Sequence, residues 1–215
     1  MKKLFFLSLL LLITTCFSQQ RKTQTLATHQ KEIEIFTEGL DNITLINSKN
    51  NQIEVSLFNE NMNSNDVSIS EKENSLKIRF EGLLYNSENV VFRKFITKRL
   101  HRSYAVLKIP KNKRIIVYGT NVDVISKNYQ GDLAIYIDKG VLKFNMVRGN
   151  IILSLYQGTV YATISNHTNI YIQTNKGSIT TKGKKKISPF VKLVKNSSKK
   201  FIINSINANV ILNSL

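Results

Sequence analysis

Residues 131–160 read GDLAIYIDKGVLKFNMVRGNIILSLYQGTV, with a glycine at every ninth position: Gly131, Gly140, Gly149 and Gly158. Counted from each glycine, the side chains two, four and six residues on are apolar. They are Leu133, Ile135 and Ile137, then Leu142, Phe144 and Met146, then Ile151, Leu153 and Leu155, then Val160, Ala162 and Ile164. The residues between them are mostly polar, among them Asp132, Lys143, Asn145, Ser154, Thr159 and Thr163. A period of two belongs to a strand, whose successive side chains point to opposite faces. A helix needs apolar residues three and four apart, and this stretch does not supply them.

The beat continues outward. Thr120 leads Val122 and Val124, Thr168 leads Ile170 and Ile172, and Gly177 leads Ile179, so units open at 120, 131, 140, 149, 158, 168 and 177. A short fixed period is the mark of a repeat architecture. A strand of six or seven residues plus its turn fills nine, so the chain is expected to bend or reverse at each glycine. Gly131, Gly140, Gly149, Gly158 and Gly177 are thus read as turn glycines, able to reach positive φ without a Cβ penalty.

Two all-β architectures use such units. In a β-solenoid (parallel β-helix-like), two units make one turn of about eighteen residues that stacks in parallel on the next. In an antiparallel β-meander or sandwich the units pair as hairpins. Two-residue hairpins favour Asn-Gly and Asp-Gly. Neither dipeptide occurs in the block, and a near-constant interval suits in-register stacking. The expected fold is the solenoid, with the antiparallel sheet as its alternative. A single unit buries too little apolar surface to offset the entropy of ordering it, so the array has to be cooperative.

The N-terminal half carries the same alternation at looser spacing: Ile33 and Ile35, Ile43 and Leu45, Ile53 with Val55 and Leu57, Val67 and Ile69, Leu76 with Ile78 and Phe80. Polar, Asn-rich turns separate these pairs. Residues 87–102, SENVVFRKFITKRLHR, break the strand pattern with apolar residues four apart among basic ones. They are read as an insertion: a basic amphipathic helix for an anionic surface, or a cover over a sheet edge.

At the N-terminus, Lys2 and Lys3 precede an apolar stretch from Leu4 to Ile13, and Cys16 and Ser18 form a small-residue cleavage site. Residues 1–18 are expected to be a signal peptide. The alternative makes Cys16 a lipidated first residue. Either reading exports the chain, to the periplasm, the outer membrane or the extracellular space. Residues 19–30 are expected to be a flexible segment, and 31–215 a single solenoid domain with a lysine-rich stretch at 182–200. Cys16 is the sole cysteine, so cleavage after Ser18 leaves no disulfide or thiol chemistry.

The formal net charge is +17, and every acidic residue lies between Glu32 and Asp138. From Lys139 onward there are twelve Lys and Arg and no Asp or Glu. A field of one sign attracts polyanions. The candidate contacts are Lys182, Lys184, Lys185, Lys186, Lys192, Lys195, Lys199 and Lys200, with Arg93, Lys94, Lys98, Arg99 and Arg102 in the insertion. Anionic glycans, lipopolysaccharide or a membrane surface are the expected partners. Nucleic acid and a protein partner stay open. The competing reading is that lysines keep β edges soluble.

Leu76-Lys77-Ile78, Val106-Leu107-Lys108-Ile109-Pro110, Ile115-Ile116-Val117 and the glycine-led units together resemble the adhesin domains of bacterial envelope proteins. These include the auto-transporter adhesin head, or head-GIN, domain. The resemblance covers about residues 30–181. It implies an exported or outer-membrane-associated β-solenoid with no enzyme activity and no catalytic residues to carry over.

The residues agree with that implication. Asp123, Asp132 and Asp138 are the acids of the repeat block, and surface solvation or pairing with Lys127 or Lys139 is their expected role. His29, His101 and His167 lack metal-ligand spacing, and no phosphate loop, nucleophile elbow or HExxH occurs. The chain is therefore expected to be a non-enzymatic, adhesin-like module without catalytic, metal or cofactor sites. The alternatives are a polysaccharide-processing solenoid enzyme and a purely structural envelope protein.

Overall fold

The computed structural model describes residues 20–59, 66–72, 74–81, 103–146 and 148–214. The expected signal peptide with Cys16, and residues 87–102 with Arg93, Lys94, Lys98, Arg99 and Arg102, lie outside them. The described residues hold sixteen strands: β1 (Gln20–Ala27), β2 (Glu32–Phe36), β3 (Asn42–Asn47), β4 (Gln52–Asn59), β5 (Asp66–Lys72) and β6 (Ser75–Glu81). Then come β7 (Tyr104–Ile109), β8 (Arg114–Asn121), β9 (Asp123–Lys127), β10 (Asp132–Phe144) and β11 (Ile151–Ile164). Last are β12 (Asn169–Thr174), β13 (Ile179–Thr181), β14 (Lys184–Lys186), β15 (Phe190–Lys192) and β16 (Lys200–Ser214).

These strands form one mixed, largely parallel sheet made of two ladders. The first runs β5, β6, β2, β8, β10, β11, β16, β12, β15. The second runs β1, β4, β7, β3, β9, β10, β11, β16 and then β13, β14. The long strands β10, β11 and β16 take part in both. One passage of the chain through both ladders makes a tier. In the middle the register is constant: Ile115 lies beside Leu133 and Leu133 beside Ile151, each eighteen residues on. In the second ladder Val124, Leu142 and Val160 keep the same step.

The step stacks like on like. Ile78, Ile35, Val117, Ile135, Leu153, Ile203 and Ile172 form one column of the first ladder, and all are fully buried. Ala105, Ile43, Val124, Leu142, Val160 and Val210 form a matching column of the second, also fully buried. Both inward faces belong to a single core. Phe144 of the second ladder meets Phe201 of the first edge-on, with ring centroids 6.5 Å apart. The alternating residues of the N-terminal half lie in this core, Ile69 at its margin.

Three expectations need correction. First, the glycines do not all mark turns. Gly140 and Gly158 lie inside β10 and β11, side by side in the ladder, where the chain bends from the first ladder into the second. The cause is close approach: a Cβ on Gly158 would collide with the carbonyl oxygen of Gly140, and one on Gly149 with that of Gly131. Second, spatial order departs from chain order at both ends. β2 and β3 lie between β6/β7 and β8/β9, while β16 lies between β11 and β12/β13. Parallel pairing asks only for matching apolar columns, not for neighbours in sequence. β16 buries Phe201, Ile203, Val210 and Leu212 and takes an inner place, leaving shorter strands outside. Third, residues 19–30 contain β1, paired antiparallel with β4 along its whole length. As an edge strand it needs little inward apolar surface, which Leu26 supplies. Its polar sequence therefore hid it.

Candidate functional site

The lysine-rich stretch closes one end of the stack. Lys182 and Gly183 both have positive φ, +49° and +74°, the two-residue turn that suits a hairpin's twist. They join β13 to the outermost strand β14, in which Lys184, Lys185 and Lys186 are all exposed. Lys192 ends β15, the outermost strand of the other ladder, where its Nζ donates to the Asn166 carbonyl oxygen at 3.4 Å. Lys195 follows in an exposed loop. The structure thus separates the predicted residues. Four gather on the hairpin, Lys192 and Lys195 stand on the other ladder, Lys200 opens β16, and Lys199 belongs to a different feature.

That feature is a groove of about 880 Å³ along the turns that open each tier. It crosses the turns before β2, β8, β10, β11 and β16. At about 4.8 Å between strands, five tiers give a length of about 19 Å. Lys31, Lys113, Arg114, Arg148 and Lys199 line it, against Asp132 as the one acid among the described lining residues. Asn112, Gln130, Asn150, Ser165 and Ser198 add amides and hydroxyls. Sequence reasoning did not assemble this set, because Lys31, Arg148 and Lys199 are far apart in the chain and obey no simple period.

The groove's backbone is firmly held. Tyr129 is buried, and its hydroxyl donates to the carbonyl oxygens of Lys113 at 2.9 Å and Pro110 at 3.2 Å. Burial pushes its pKa up, so it stays a neutral donor at any physiological pH. Lys113 Nζ donates to the Gln30 carbonyl oxygen at 2.6 Å, and Arg114 pairs with Glu32 at 3.2 Å. Two cations are thereby fixed in place. Lys31, Arg148 and Lys199 are exposed; Arg148 and Lys199 project from neighbouring turns and Lys31 from the far end of the groove.

The carboxylates have structural employment. The Asn150 amide donates to Asp132 Oδ1 at 2.8 Å, and the Lys200 amide donates to Asn150 Oδ1 at 3.0 Å. On the second ladder the Val141 amide donates to Asp123 Oδ1 at 2.7 Å. Each acceptor ties its own tier to the next. Asp123 and Asp132 open strands of different ladders, and solvation or pairing with Lys127 or Lys139 does not describe their role. Among the described residues, no three His, Cys, Asp or Glu side chains gather in a metal-binding group.

An aromatic column on the outer face of the first ladder is also self-contained. Phe36 stacks on Tyr118 at 5.2 Å, Tyr118 on Tyr136 at 5.6 Å, and the Arg79 guanidinium lies 4.7 Å from the Phe36 ring centre. Tyr118 thus has a ring on each side, while Tyr136, at the end of the column, stays partly exposed.

The fold is similar to that of a solved structure described as a "putative cell adhesion protein" from Clostridium sporogenes. The TM-score is 0.58 at 10% identity, covering 92% of this chain and 100% of that one. Structures described as "putative adhesins" from Bacteroides fragilis and Parabacteroides merdae align with 91% of the chain and 98% and 96% of their own. Their identities are 13% and 8%, with TM-scores of 0.30. At such identities the likeness is one of fold. No protein-family model and no curated protein matches the sequence.

Proposed function

We propose that residues 20–215 form a single β-solenoid domain acting outside the cytoplasm as a non-enzymatic, adhesin-like surface module whose basic face contacts polyanions. The eighteen-residue register supports the solenoid. The fold shared with the Clostridium sporogenes protein and the signal-peptide pattern at residues 1–18 support the surface role.

The observation that carries the reading is the row of cations along the tier openings, faced by one carboxylate already bonded to backbone. Glycoside hydrolysis asks for two carboxyl groups flanking one bond. Asp123 and Asp132 are each engaged by an amide on separate ladders, which disfavours the polysaccharide-processing alternative.

A purely structural reading has its own observation: Lys184–Lys186 and Lys192 stand on outermost strands, where lysine prevents edge-to-edge pairing. A salt series separates the two. The exported protein is expected to bind anionic glycans and not neutral ones, with affinity falling steeply as salt rises. Binding to neither, or binding indifferent to salt, would refute the polyanion role.

A further inference from the structure

We infer that the groove along the tier openings is the binding site for an extended acidic polysaccharide, lying parallel to the stacking direction. This rests on the polyanion reading above and deepens it by naming the site and the ligand class.

The lysines of β14 and β15 have an explanation in edge protection. Edge protection does not explain Lys31, Arg148 and Lys199 in the groove. Most of the groove's tiers are paired on both sides: β8 between β2 and β10, β10 between β8 and β11, β11 between β10 and β16. No open edge there needs guarding. Five cations on four of five adjacent tiers face Asp132 in the groove, with Glu32 paired to Arg114 beside it, which leaves a net concentration of like charge. A linear anion relieves it.

The rest of the lining selects among polyanions. Single-stranded nucleic acid is held by cations interleaved with aromatic platforms, and among the described residues no aromatic side chain lines the groove. A membrane surface asks for apolar residues to insert beside the cations, and among the described residues Met146 is the one long apolar side chain in the lining. Asn112, Gln130, Asn150, Ser165 and Ser198 instead offer amide and hydroxyl partners between the charges, which suits a chain bearing both carboxylates or sulfates and free hydroxyls. Lys113 and Arg114 are held by Gln30 and Glu32, so part of the charge is ordered before the ligand arrives. On neighbouring tiers, Lys199 is exposed and Arg148 is held only by an exposed bond from its Nε to Met146 Sδ at 3.2 Å, so both can turn toward its anionic groups.

The test uses protein exported by cells expressing the full chain, with polygalacturonate fragments as probe. A single-stranded oligodeoxynucleotide and anionic phospholipid vesicles serve as competitors. The triple variant Lys31→Gln, Arg148→Gln, Lys199→Gln is expected to bind polygalacturonate at least about tenfold more weakly at about 50 mM salt, with a shallower salt dependence. The variant Asp132→Asn keeps the acceptor for the Asn150 amide and removes the groove's negative charge. It is expected to bind about two- to threefold more tightly. A charge-matched variant, Lys127→Gln, Lys143→Gln, Lys176→Gln, controls for net charge, and unchanged far-UV circular dichroism controls for folding. If the main loss appears instead in Lys184→Gln, Lys185→Gln, Lys186→Gln, the site is the hairpin and the groove assignment falls while the polyanion reading stands. Tighter binding of the oligonucleotide or the vesicles overturns the ligand class. Absence of binding to every polyanion by the unaltered protein overturns both.

Discussion

Between β8 and β11 each tier lies against its neighbour in sequence, eighteen residues away and parallel. At both ends chain order is abandoned, and β1 on β4, β5 on β6, β14 on β13 and β15 on β12 all run antiparallel. The middle brings tiers so close at the bends that carbonyl oxygens occupy the space of a Cβ. The closing hairpin has no such crowding: a Cβ on Gly183 would meet nothing within 4 Å, whereas Gly177, packed against the Ala208 carbonyl oxygen of β16, is as tight as the middle. Exposure follows the same division. Leu153 is fully buried, whereas Ile187 and Leu193 are 88% and 81% exposed. Sequence is tightly constrained where stacking is regular and loosely where the stack is closed off.

The sharpest way to break this contrast is to add one methyl group in each region. Gly149→Ala drives a Cβ into the Gly131 carbonyl oxygen and is expected to cost at least about 3 kcal/mol, read as a large loss in thermal midpoint or failure to fold. Gly183→Ala meets only the left-handed backbone at φ +74° and is expected to cost about 1 kcal/mol. Comparable losses at the two positions would erase the distinction.

Truncating leucine is the next test. Leu153→Ala opens a cavity in a fully buried column and is expected to cost about 2–5 kcal/mol in denaturant unfolding. Leu193→Ala at the closed end is expected to stay within about 0.5 kcal/mol.

The smallest effect is electrostatic and belongs to the other end. Lys108 Nζ donates to Glu54 Oε1 and Oε2 at 2.8 and 2.9 Å, and Arg21 lies 3.0 Å from Oε1. The Lys108 hydrogen bond, with the charges of Lys108 and Arg21, outweighs desolvation and holds the Glu54 pKa below the ordinary carboxylate value. A pKa lowered by folding contributes stability that is present above the unfolded value and lost as pH falls through the folded one. Lys108→Met is therefore expected to lower the thermal midpoint by about 1–3 °C at neutral pH. The difference should shrink as acid protonates Glu54. A gap that persists unchanged below the carboxylate range would assign the effect to packing instead.

Much of the middle was legible from the chain. Leu133, Ile135, Leu153 and Val160 face a common interior, so alternation in sequence is alternation in burial. The glycine beat is half of the eighteen-residue step, which made the parallel register readable. The ends were not legible, because which strands pair depends on matching between distant segments. A hint was present: Phe201, Ile203, Val210 and Leu212 repeat the nine-residue spacing, and Ala208 lies beside Gly158. The groove was hidden for the same reason, since its cations come together only after β2 and β16 are inserted out of order. Asp132 and Asn150 could be read as polar tier openers, but their bonds to the next tier's amide depend on the stacking itself.

The placement of β16 has a consequence for how damage spreads. β12 and β13 follow β11 in the chain, yet neither pairs with it, because β16 takes that edge. Residues 200–214 clasp β11 on one side and β12 with β13 on the other. A lesion in this one strand therefore strikes two interfaces at once.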